Sequence, residues 1–336
     1  MMNFRRTIFA GATAAVLALT MAACGPQGSN GDASAEDYPQ GNIEMIVGFA
    51  AGGHNDSVAR KFAEGLGEEL GSRVLVVNRE GGGGSIGTTE AANAAADGYT
   101  LLFAPTGAFT STMLQQDVSY EIEDFRSIAP VAENTFVIAV PEDSPIQEFE
   151  DLADATDRLT FSAFGEGHNT HLIGESIVDK YDLDAEVVAF PGSPPALQAI
   201  VNGDVDFGVQ DVTSALPRIA SGEVRPLAVT TEYVPEKLEE IAPDLPSIAD
   251  YDLENALFAG SQALAIQSEA SDELVNKLRE ASENVTSSEE FISFLAESGS
   301  VVPDHDQGEA WFTDYMPREL QRFRDLYEDL GIPTVD

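Results

Sequence analysis

Residues 43–66 read IEMIVGFAAGGHNDSVARKFAEGL, an apolar run, a glycine turn and a striped helix in that order. Ile43, Met45, Ile46 and Val47 form a short strand, and Gly52, Gly53 and Asn55 turn the chain into a helix. Along that helix Val58, Ala59, Phe62, Ala63, Leu66 and Leu70 recur at three- and four-residue intervals, with Arg60, Lys61, Glu64 and Glu68 on the opposite face. The pattern returns at residues 159–178, LTFSAFGEGHNTHLIGESIV. There Leu159, Phe161 and Ala163 precede Gly165 and Gly167, and Asn169 or Thr170 is placed to cap the next helix. Both turns contain the tripeptide GHN. A strand that ends in glycines beside a helix start leaves backbone N–H groups unpaired at the positive end of the helix dipole, which favours an anion. Two such turns, one in each half, predict a ligand gripped from both sides.

Working outward, strand and helix patterns alternate from Ile43 to about Thr231, as in a parallel sheet with helices on both faces. Strands are expected at 43–48, 73–78, 99–104, 135–140, 159–163, 186–190, 205–210 and 225–231. Helices are expected at 55–70, 86–95, 170–180, 194–202, 213–221, 271–285, 288–297 and 307–330, the last with a kink at Pro317.

The chain begins with an export signal: Arg5 and Arg6, an apolar stretch from Thr7 to Ala23 too short for a membrane span, then Met21-Ala22-Ala23-Cys24. The paired arginines also suit a twin-arginine route, so the export route stays open. Cys24 is the only cysteine, which excludes an intrachain disulfide. Residues 25–37 are mostly Gly, Ser, Asn, Asp and Ala, without an apolar period, and read as a flexible tether.

The chain carries 58 acidic against 17 basic residues, a formal charge of −41 at neutral pH, and the signal would remove two of the arginines. The acids are spread over every helix surface, unlike a disordered acidic tail. Self-repulsion of this size destabilises a compact fold in dilute buffer, and molar salt screens it, so a halophilic protein is the expectation, with solubility alone as the other reading. No basic stripe exists to neutralise phosphates, which excludes nucleic acid as a partner.

Five runs in order, YPQGNIEMIVGFAAGGHNDSVAR, VVNREGGGGSIGTTEAANAAADGYTLLF, FSAFGEGHNTHL, FPGSPPALQAIVNGDVDFGVQD and ALPRIASGEVRPLAVTT, resemble the extracytoplasmic solute receptors of tripartite tricarboxylate transporters, the Bug family. The resemblance covers about residues 38–331. It implies an α/β, two-domain periplasmic-binding-protein-like fold (type II) with a hinge of two crossing strands and a ligand cleft between the domains. Residues 38–136 plus 232–336 would form one domain and 137–231 the other, crossing near Thr135 to Val140 and Leu227 to Thr231. The motif at Cys24 resembles a lipobox, which implies a lipid anchor on the outer face of the cell membrane; a plain signal peptide with an incidental cysteine is the other reading.

By the same resemblance Phe49, Gly52, Gly53 and Asp56 line the cleft in the first loop. Gly48 and Ala51 stand where the family usually has prolines, and His54 with Asn55 where it has small residues. The opposite loop supplies Ala163, Gly165, Gly167, His168, Asn169, Thr170 and His171, where His171 is equally a packed structural residue. A neutral or protonated His168 at the cleft would donate to a carboxylate, with nearby acidic charge favouring the protonated form; His54 and His168 facing solvent at the rim is the alternative. Ser85 in REGGGGSIG, Thr106 and Gly107 after a strand, and Pro191, Gly192 and Ser193 complete the set, with Pro191 where a lysine is frequent. Asp211 ends a strand at the crevice. It would repel an anion unless it pairs with a histidine or a ligand ammonium, and it also fits a helix cap.

The three histidines lack cysteine support and motif spacing, so no metal is expected, and no cofactor. No GxSxG or HExxH appears, and the glycine loop lacks the lysine of a phosphate loop, so no enzyme is expected. The sequence therefore reads as a monomeric receptor that binds a small organic carboxylate and hands it to integral membrane transporter subunits. A sensor passing its ligand to a signalling protein and an exported hydrolase are the alternatives.

Overall fold

A computed structural model describes residues 37–303 and 310–335, all within one compact unit, Ser34–Asp336. The signal at 1–23, Cys24 and the tether as far as residue 36 lie outside the described residues. The strands are β1 (Ile43–Val47), β2 (Val74–Asn78), β3 (Thr100–Pro105), β4 (Phe125–Pro141), β5 (Leu159–Ala163), β6 (Ala185–Ala189), β7 (Phe207–Asp211), β8 (Val224–Val229), β9 (Ala259–Gln267) and β10 (Ser300–Val301). The helices are α1 (His54–Leu70), α2 (Ser85–Ala92), α3 (Thr106–Phe109), α4 (Ser111–Gln115), α5 (Asn169–Tyr181), α6 (Ser193–Asn202), α7 (Val212–Ala220), α8 (Glu236–Ile241), α9 (Asp272–Thr286), α10 (Glu289–Glu297) and α11 (Met316–Asp329).

The sheet order is β2-β1-β3-β9-β4-β7-β5-β6, with β8 and β10 also on β4. Two parallel triples, β2-β1-β3 and β7-β5-β6, flank an antiparallel middle of β9 and β4. The sheet is thus mixed rather than parallel throughout. Each GHN turn follows the central strand of its triple, β1 or β5, so the two sequence copies occupy equivalent places.

Alternation along the strands divides the core between the faces. Met45, Val47, Leu101 and Phe103 pack under Val58, Phe62 and Leu66 of α1 and Leu274, Val275 and Leu278 of α9. Ile46, Leu102 and Ala104 face the other way, onto Phe109, Phe125, Trp311 and Phe312. In the other triple Phe161, Ala163, Phe207 and Val209 pack on Leu172, Ile173 and Ile177 of α5. Each fully buried side chain of this size contributes about 1.5–3 kcal/mol against exposure. Ile248, Leu253, Ala256 and Phe258, with Phe323, Leu326 and Tyr327 of α11, pack into this same second cluster. Side chains of residues 248–258 and of α11 thus share a core with the β5 triple.

β9 and β10 are not among the expected strands, and β4 is expected only in its last part. β4 begins ten residues before the expected 135–140 segment, and its pairing with β9 is irregular between Ser127 and Ala129 and between Pro130 and Ala132. A bulge tolerates the missing N–H of Pro130 while breaking the alternation a strand is recognised by. Just before Pro317, where a kink is expected, the helix runs through a π-helical turn at Trp311–Tyr315, with helical backbone on both sides.

Candidate ligand-binding site

The carboxyl ends of β1 and β3 and those of β5, β6 and β7 face one another where β4 passes from β9 to β7, and they lead into α1, α3, α5, α6 and α7. A cavity of about 680 Å³ opens there, outside the carboxyl ends of the strands. One wall is two glycine loops in backbone contact: a Cβ on Gly48 would lie 2.9 Å from the Gly84 backbone, so no larger residue fits without parting them.

Of the residues expected at the cleft, Phe49, Gly53, His54, Asn55, Thr106, Gly107, His168, Asn169, Pro191, Gly192, Ser193 and Asp211 line this cavity. Gly52, Asp56, Ser85, Ala163, Gly165, Gly167, Thr170 and His171 do not. Asp56 is held inward, accepting from Gly52 N at 2.9 Å, Arg60 Nε at 3.0 Å and Asn78 Nδ2 at 2.9 Å. Burial alone would raise its carboxyl, but the hydrogen bonds from Arg60, Gly52 and Asn78 hold it below the usual carboxylate range. Ser85 Oγ turns to Gln116, Thr170 Oγ1 accepts from Phe164 N, and Ala163 is in the core. Gly165 and Gly167 shape the turn with positive φ, and the Gly167 carbonyl accepts from Tyr327 Oη. His171 is structural: Nδ1 accepts from Gly167 N at 2.8 Å and Nε2 meets Glu175 Oε1 at 3.2 Å.

His168 caps α5, its Nδ1 accepting from Thr170 N at 3.3 Å. In the neutral ring the proton is then on Nε2, which faces Gly107. Burial, aided by His171, pushes its pKa down to about 4, so the ring is neutral at ordinary pH. Of the two protonation states open from the sequence, the neutral one holds, because desolvation outweighs the acidic surroundings. His54 is only 8% exposed, with Nδ1 2.9 Å from Thr213 Oγ1 of α7 and Nε2 buried without a partner. Burial lowers its pKa against the opposing pull of Asp211 and Gln262. Asp211 caps α7 through Ser214 N at 2.8 Å and also lines the cavity, so it is both things expected of it.

Reading the sequence missed Asn134 and Phe136 of β4 and Gly260, Ser261 and Gln262 at the β9 start, all of which line the cavity. The polar pair Ser261-Gln262 opening the apolar run ALAI was the available signal. Phe49, Phe136, Phe164 and Phe258 give the cavity apolar walls, and among the described residues no lysine or arginine lines it. Pro194 and Pro195 in the first turn of α6 lack N–H groups, so the donors are concentrated at the starts of α1 and α5.

A family model described as the tripartite tricarboxylate transporter family receptor matches residues 58–331. Protein BugT of Bordetella pertussis is 28% identical over 311 residues, 89% of this chain and 92% of that protein. The solved periplasmic binding protein BugD is similar with a TM-score of 0.80 at 26% identity, over 88% of this chain and 99% of that one. An R. palustris protein solved with adipate has a TM-score of 0.81 at 24% identity, over 88% and 99% of the two chains, a likeness of fold alone.

Proposed function

The chain belongs to the tripartite tricarboxylate transporter receptor family, and on that premise we propose that it captures a small organic carboxylate outside the cell and delivers it to the membrane subunits of such a transporter. The observation that carries this is the cavity at the carboxyl ends of the strands, where the uncapped start of α1 and the start of α5 converge with neutral His168. Backbone N–H groups and a neutral imidazole hold a carboxylate without a counter-cation. The cavity-lining residues named above, from Phe49 to Asp211, are proposed as the contacts.

Capture is by closure of two lobes, one around β2-β1-β3 and one around β7-β5-β6, about the segments that cross between them: β4 at Asn134–Phe136 and the stretch from Thr230 to Phe258. The His54–Thr213 contact joins the start of α1 to α7 and would hold the closed state. No turnover of the ligand is part of this reading. We propose further that Cys24 carries a lipid anchor, that the receptor acts as a monomer and that it works in high salt; changing Cys24 to serine should then release it from the membrane fraction.

The test is a thermal-shift screen in high salt against mono-, di- and tricarboxylates, aromatic acids and amino acids. A rise with one carboxylate class is expected, because only a ligand that prefers the folded state stabilises it. Silence across the panel would count against the receptor reading.

A further inference from the structure

Helix α4 stands between the two lobes. Its Thr112 Oγ1 donates to the Gly83 carbonyl at 2.8 Å and its Ser111 Oγ to the Gly107 carbonyl at 3.2 Å, so the helix holds two cavity-lining residues of the β2-β1-β3 lobe. Its last residue, Gln115, meets the other lobe. A Cβ on Gly167 would lie 2.2 Å from Gln115 Cγ, so the glutamine stem sits directly on the glycine of the second GHN turn, one residue from His168. Gly167 has φ +72°, so the backbone as well as the close approach requires glycine there.

The chain beyond α11 fastens this contact from outside. Gln115 Nε2 donates to the Pro333 carbonyl at 2.7 Å, and Val335 N donates to the Leu114 carbonyl at 2.8 Å. Ile332 N returns to the Tyr327 carbonyl at 2.9 Å, and Tyr327 Oη donates to the Gly167 carbonyl. Gly167, Gln115, Pro333, Ile332 and Tyr327 thus form a closed ring of contacts that ties α4 of one lobe to the ligand turn of the other. Leu114 extends the tie inward: it is buried in the core of the β5 triple, against which Ile332 also packs. A segment that only finished α11 would bond back to that helix, but Pro333 and Val335 bond to α4. Pro333, Thr334 and Val335 are exposed, so little buried area holds the segment, and its two bonds to α4 can open without unfolding the lobes.

Resting on the receptor reading above, we propose that Gln115 is a positioning residue for ligand capture: clasped by the segment Pro333–Val335, it sets the spacing between the wall of Gly83 and Gly107 and the turn of Gly167 and His168, and release of the segment loosens both.

The test uses two variants in high salt. Gln115→Met keeps the stem and loses the donor, and a chain ended at Ile332 keeps the apolar contact and loses both bonds. Hydrogen exchange of the bonded amides of Gly84, Gly167 and His168, read without ligand, should speed about three- to tenfold in each variant, while amides inside α1 keep their rates. Calorimetric titration with succinate, adipate, citrate and benzoate gives the second readout. Whichever of them the wild-type chain binds should bind about three- to tenfold more weakly in each variant. The melting temperature without ligand should change by no more than about 2 °C, which separates positioning from a general loss of stability. Both variants cut the same clasp, so Gln115→Met placed in the shortened chain should weaken binding no further. Losses that add, unchanged affinity, or unchanged exchange at either turn overturn the clasp and leave the receptor reading standing. A wild-type chain that binds none of the four, nor any acid of the wider screen, overturns the receptor reading and the positioning role with it.

Discussion

His168 and Asp56 show how a residue's surroundings decide what its charge does. His168 has a folded-state pKa of about 4, below the ordinary 6.5, because protonation would place a charge in a desolvated turn beside His171. Between those values the unfolded chain binds a proton that the folded chain refuses, so stability falls as pH drops from about 7 towards 4. Asn caps a helix as well as histidine does here, so His168→Asn should flatten the wild-type loss between pH 7 and 5 by on the order of 1 kcal/mol, allowing for the solvent-facing side of the ring. Urea denaturation at the two pH values measures it, and parallel losses in both proteins would rule the account out. Asp56 has the opposite sign. Its carboxyl is depressed by its hydrogen bonds, so its contribution is full above the ordinary carboxylate pKa of about 4 and is lost as pH falls through the folded value. Asp56→Asn should cost about 1–3 kcal/mol at pH 6, and the gap should narrow below about pH 4; a gap independent of pH would contradict this.

Among the elements, β4 bears the most traffic, pairing with β9 along its first part and with β7 and β8 along its last. At the changeover Thr230, which is fully buried, accepts from Phe136 N at 3.2 Å and donates from Oγ1 to the Phe258 carbonyl at 2.7 Å. One hydroxyl therefore ties the end of β8, the middle of β4 and the approach to β9 together. Thr230→Val keeps the volume and removes the tie, and equilibrium unfolding should show a loss of about 1–3 kcal/mol. A change inside the error of the method would mean that the backbone bonds at Thr230 suffice. The helices before and after need no such device: Ser271 and Ser288 cap α9 and α10, and Gly71 and Gly203 end α1 and α6 in left-handed conformation.

For the whole molecule the dominant long-range term is the charge. At low ionic strength the acids repel across the unit, and near 1 M salt the Debye length shrinks to about 3 Å, leaving only close pairs such as Arg60–Asp56. Melting temperature should therefore climb with sodium chloride and level off near molar concentration; a flat profile in chloride would sink the halophilic reading. That charge, the two GHN turns and the boundaries of α1, α5, α6, α9 and α10 to within a residue or two were legible in the sequence, because each rests on local chemistry: apolar period, glycine, cap or count; the twelve cavity residues came with the family resemblance of the loops that carry them. Tertiary structure alone decided the rest. β4 and β9 carry Pro130, bulges and small residues, so they become strands only when paired with each other, and Asn134, Ser261 and Gln262 reach the cavity only through that pairing. Burial, which no single stretch of sequence states, left His168 neutral and turned Asp56 and His171 inward.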